Sequence, residues 1–111
     1  MPVAIVSFLG MADQQIGLKR FGCAAPNTLY LFPNVMSTTL VTEGLTGAIR
    51  IVCLDAALRP LSIGHHFEFT MAPEQMALLP LQTRHVIEAD ADTPILPHLD
   101  LIRQRLSGGA A

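Results

Sequence analysis

The sequence predicts a mostly β fold: a small jelly-roll-like sandwich or partly open barrel of about six or seven strands, followed by a C-terminal helix. Three observations lead there. Short runs rich in Val, Ile, Thr and Phe recur between Gly, Pro and Asn punctuation, the pattern of many short strands. The run "AIRIVCL" has one charged residue, Arg50, so the strand it forms should be covered on both faces. Near the end, Ile95, Leu99, Ile102 and Leu106 are spaced by four, three and four, which gives a helix one apolar stripe to lay on a sheet.

Taken in order, Val3 to Leu9 reads as a first strand. "MADQQIGLKRFG" is broken by Gly17 and Gly22 and suits a short helix or turn. "TLYLF" is a short strand stopped by Pro33-Asn34. "VMSTTLVTEG" is rich in Val and Thr and suits a strand, and "TGAIRIVCLD" forms the covered one. "LSIGHHFEFT" and "TRHVIEADA" read as later strands, with "MAPEQMALLPLQ" as a loop between them. Thr93 can cap a helix that has Pro94 at its first position. Arg103 and Arg105 lie near its C-terminal end, where the helix dipole favours cations. The whole is expected to be one domain, with a strand in 1–9, a β core in 29–91, a helix over 94–106 and a frayed tail at 107–111.

Composition narrows the function classes. Half the residues are hydrophobic and 14% are charged, against roughly a quarter charged in ordinary soluble domains. Such a chain leaves apolar surface exposed, which favours a homo-oligomer or a protein partner. The net charge is −2. Lys19, Arg20, Arg50, Arg59, Arg84, Arg103 and Arg105 are scattered, so no basic stripe offers itself to nucleic acid. Cys23 and Cys53 do not form a disulfide framework. "MPVAIVSFLG" has neither the basic flank of a signal peptide nor the length of a membrane span. These features point to a cytoplasmic protein with reduced thiols and no membrane association.

The order of segments resembles the DUF192 family of uncharacterised conserved proteins. "LYLFP" at 29–33 matches its Phe-Pro strand. "AIRIVCLDAALRPLSI" at 48–63 matches its apolar strand closing on Leu-Asp with a hairpin behind, and "RHVIEADA" at 84–91 its late strand. The family's aromatic-Trp-Met-Lys-Asn-Thr stretch is replaced here by "LVTEGLTG". The resemblance implies a compact jelly-roll-like sandwich and no established activity.

The candidate chemistry is sparse. His65 and His66 are adjacent, so on a strand they point to opposite faces. His66, Glu68 and His85 are the candidate ligand-binding trio, in a pocket between the sheets. Two His and a carboxylate suit Zn or Fe by residue type. However, neither His-x-His nor His-x-x-x-His occurs, so no metal site is assigned. Cys53 reads as a small buried hydrophobe. Cys23, in a loop, lacks a motif that would supply a base. Asp55 should bond a turn backbone. Glu88 and Asp90 fall on one face of the last strand, where burial would raise a pKa, although solvation at a strand end is the plainer expectation. With no phosphate loop and no nucleophile elbow, no catalytic residue and no cofactor are assigned. The leading expectation is a non-catalytic domain that binds a partner or itself, through the loop Met71 to Leu81 or a sheet edge. The alternative is a small metal- or ligand-binding enzyme with its pocket between the sheets.

Overall fold

The computed structural model describes residues 2–109; Met1 and the last two residues of the expected tail lie outside them. Among the described residues there are eight strands in two sheets: β1 (Ala4–Ser7), β2 (Thr28–Phe32), β3 (Thr39–Val41), β4 (Ile49–Leu54), β5 (Pro60–Leu61), β6 (Phe69–Met71), β7 (Met76–Leu78) and β8 (His85–Asp90). Two short helices, α1 (Met11–Ile16) and α2 (Leu99–Gln104), complete the fold. The main sheet runs β1-β2-β8-β4-β5, and β6 also pairs with β4. β3 and β7 form a separate two-stranded ribbon. Neither sheet closes on itself, so the fold is sandwich-like.

The main sheet is buried on both faces because its strands are apolar on both. Along β4, Ile49, Ile51 and Cys53 face one core together with Phe8, Phe32, Leu45 and Leu79. Val52 and Leu54 face a second core with Leu29, Leu31, Ile87 and Ala89. The C-terminal helix covers the second core, and all four residues of its stripe take part: Ile95 and Ile102 are fully buried, and Leu99 and Leu106 are packed against them. The opposite face is covered by the ribbon, through Leu40 and Ala77, and by the turn after α1, through Leu18. β1 and β2 are parallel, and α1 lies in the crossover between them.

Several boundaries differ from those the sequence predicts, each for a local reason. Thr93 does not cap the helix: its Oγ1 accepts the N–H of Asn27 at 3.1 Å. The helical segment opens instead as a single 3-10 turn at Leu96–His98 and runs through α2 into a wider turn at Arg105–Gly109, which Gly108 breaks with a non-helical φ of +126°. "LSIGHHFEFT" is not one strand. Gly64 takes φ +63°, and Ile63 and His66 exchange backbone hydrogen bonds of 2.7 and 3.2 Å around it, so the histidines stand at a tight turn. The expected loop 71–81 begins with a buried core residue, Met71, and contains β7.

Asp55 behaves as its turn position suggests. Its Oδ1 accepts the N–H groups of Ala57 and Arg59, both at 2.9 Å, and closes the β4–β5 hairpin. The Arg59 N–H, helped by that of Ala57 and by the Arg59 guanidinium, holds its carboxyl below the ordinary value. Asp55→Ala is expected to open this turn while the central sheet stays intact. Hydrogen exchange should then quicken several-fold at Ala57 and Arg59 and remain unchanged at Val52 and Ile87. Equal protection in both proteins would show that the side chain does not hold the turn.

Candidate functional site

The three residues singled out by composition do not meet. His66 is exposed at the Gly64 turn. Glu68 is half-buried: its Oε1 accepts the Ile95 N–H at 2.6 Å and lies 3.8 Å from Nη1 of Arg50. Arg50 in turn donates to the Ala91 carbonyl through Nε and Nη2. This network fastens the start of the C-terminal helical segment to the Asp90 end of β8. His85 lies at the other end of β8, opposite Leu54, and its Nδ1 accepts the Asn34 N–H at 3.1 Å. Burial lowers the His85 pKa, with Arg84 adding to the effect, so the neutral imidazole that this bond requires is favoured. Among the described residues no group of three His, Cys, Asp or Glu is placed to hold a metal ion.

Another residue of the same strand has the stronger site geometry. Glu88 sits at the middle of the main sheet, paired with Tyr30 of β2 and Ile51 of β4. It is 5% exposed, so it is not the solvated strand-end carboxylate that its sequence position suggests. It lines a cavity of about 510 Å3 between the main sheet, the ribbon and α1. Phe32, Leu40, Leu45 and Val86 supply apolar walls. The cavity is open to solvent, and its lining residues Met11 and Met36 are largely exposed. Burial alone pushes the Glu88 carboxyl up to about 8, so at neutral pH it is mostly a neutral acid.

The surrounding chain holds the cavity open. Gly17 turns the chain after α1 with φ +53°, and a Cβ there would stand 3.5 Å from the Phe32 ring. Gln14 reaches from α1 to donate to the carbonyls of Phe8 at 2.9 Å and Pro33 at 2.6 Å, which fixes the helix over the ends of β1 and β2. Phe32 is held from behind by Phe8, stacked with a ring separation of 4.7 Å. The Tyr30 hydroxyl, the nearest aromatic polar group on the neighbouring strand, is engaged by the Ala25 N–H at 3.0 Å. No hydrogen bond or ion pair joins Glu88 to another of the described side chains, and the cavity volume lies within the range of small-molecule sites, roughly 300–1,000 Å3.

The two thiols offer less. Cys53 is buried on the cavity side of β4, and burial pushes it up to about 11, which keeps it protonated and inert. Cys23 is exposed, and neither cysteine is in a disulfide. Among the described residues no helix is long and apolar enough to cross a membrane.

Comparison with protein-family models, curated proteins and solved structures finds no match.

Proposed function

We propose that this protein is a non-catalytic binding module that takes one small, largely apolar molecule into the cavity over Glu88. The observation that carries this reading is a carboxyl group placed at mid-sheet, nearly free of water, facing an open apolar cavity with no protein partner. Isolated buried carboxyls are costly, and a core Leu at this position would be cheaper for the fold alone. Binding without catalysis is favoured because the cavity walls bring no second acid, base or nucleophile beside Glu88: Cys53 is inert, and Lys19 and Glu43 are exposed. A cytoplasmic location belongs to the same reading and is supported by the free, exposed thiol of Cys23.

Titration of the 15N-labelled chain with the neutral dye N-phenyl-1-naphthylamine tests this. Saturable shifts are expected at Gly17, Leu40, Val86 and Glu88. The reading fails if the dye shows no saturation at about millimolar concentration, or if the shifts gather on the outer face of the ribbon instead.

That outer face favours a second reading, self-association. Val41 and Met76 are cross-strand neighbours that point outward, and Leu78 continues the patch at 79% exposed. A second copy of the chain could cover it, which refines the expectation for 71–81: Met71 stays in the core and Met76 to Leu78 provide the contact. Sedimentation should then show a concentration-dependent dimer that Leu78→Lys abolishes. A monomer at every concentration would sink this reading without touching the first.

A further inference from the structure

We infer that the molecule held in the cavity is an organic ammonium ion, a primary or secondary amine on an aryl or alkyl body, seated with its N–H groups on the Glu88 carboxylate and its body between Phe32 and Leu40. The inference rests on the cavity being a binding site and adds the charge of what it binds.

Its basis is the balance of charge around the carboxyl. The charged groups that line the cavity are Lys19, Glu43 and Glu88. Lys19 is exposed, with its stem laid along Gly44, and does not pair with Glu88. The neighbours of Glu88 across the sheet are Tyr30 and Ile51, neither of them a Lys, Arg or His. Among the described main-sheet strands the basic residues are Arg50 and His85: Arg50 is committed to the Ala91 carbonyl and to Glu68, and His85, at the far end of β8, accepts the Asn34 N–H. The deep carboxyl of Glu88 thus has no cation paired with it among the described residues. An anionic ligand would meet Glu88 and Glu43 together. A cation meets a carboxylate in a low-dielectric site, where a charge-assisted hydrogen bond is strongest. The Phe32 ring, stacked on Phe8 on one side, also lines the cavity and adds an aromatic wall. The proton balance is favourable as well. With the Glu88 carboxyl near 8, ionising it at pH 7 lowers the binding constant by only about tenfold. An amine base that enters uncharged is more basic than the acid and takes the proton directly.

The step is a proton transfer and an association, with no bond made or broken in the ligand. When an ammonium ion binds at pH 7, the proton that Glu88 holds in the free protein is released to solvent. A neutral acceptor such as an alcohol or carbonyl leaves that proton in place.

The test is calorimetry on the full chain with 4-phenylbutylamine and its neutral counterpart 4-phenylbutan-1-ol, at pH 7 in phosphate and in Tris, two buffers of different ionisation heat. The amine is expected to bind at least tenfold more tightly than the alcohol, with close to one proton released per amine bound. Glu88→Gln should lower amine affinity at least tenfold and abolish the proton release. The variant should fold, since the amide matches the neutral acid in shape and lacks its charge. Equal affinities for amine and alcohol, or amine binding with no proton release, would overturn the ammonium assignment and leave the cavity as a binding site. Failure of both probes to bind would overturn the binding reading itself, and this inference with it.

Discussion

Raising the pH from about 5 to about 9 is expected to cost the protein up to about 5 kcal/mol through Glu88. In the unfolded chain its carboxyl titrates near the ordinary 4.5, and in the fold it is pushed up to about 8 by burial. Between those values the folded state holds a proton that the unfolded state has released. Stability therefore falls with pH across that window, is fully present below the lower value and is flat above the upper one. His85 acts in the opposite direction at the acid end. Its folded pKa is lowered from 6.5, so as the pH falls the unfolded chain takes up a proton that the fold resists, and stability is lost there. Glu88→Gln separates the two. Urea unfolding at pH 5, 7 and 9 should find the variant close to the parent at pH 5 and a few kcal/mol more stable at pH 9, while the His85 contribution remains in both. Parallel profiles for parent and variant would mean that Glu88 is not held away from water.

Part of this was legible in the sequence, and the boundary between what could and could not be read is physical. A strand that carries apolar residues at both parities must be covered twice, so "AIRIVCL" announced a two-sided sheet, and Val52 and Ile51 duly face different cores. The helical spacing of Ile95, Leu99, Ile102 and Leu106 likewise named the face that packs. Local periodicity says which residues share a face but not what lies over that face. Glu88 and Asp90 were readable as same-face neighbours. What covers Glu88 includes the ribbon formed by Thr39–Val41 and Met76–Leu78, strands of three residues each whose pairing is long-range. The trio of His66, Glu68 and His85 was misleading for a related reason. It assumed that residues 61–70 form one strand, whereas Gly64 turns the chain and leaves the histidines at a hairpin tip. Glu68 then serves Arg50 and the Ile95 N–H, a role that only the folded position of the C-terminal segment creates.

The face of β8 opposite Glu88 should be the most sensitive to truncation. Ile87 is fully buried, flanked across the sheet by Leu31 and Val52, and shares a core with Ile95 and Ile102 of the helical segment. Ile87→Ala removes methyl and methylene groups at the point where sheet and helix meet. Neither neighbour can move in without breaking strand pairing, so a cavity remains. The expected loss is about 3–5 kcal/mol, a large share of the roughly 5–15 kcal/mol that holds a domain folded. Leu78→Ala removes a side chain of similar size from a strand in the ribbon, where it is 79% exposed, and should stay within about 0.5 kcal/mol. Urea midpoints for the two variants make the comparison, since residue size is nearly matched and burial is not. An Ile87→Ala loss below about 1 kcal/mol would mean that the C-terminal helix is not packed on this face. Because Ile87 points away from the cavity, the surviving folded fraction should still bind the amine probe with the affinity of the parent, so that stability and ligand binding divide between the two faces of a single strand.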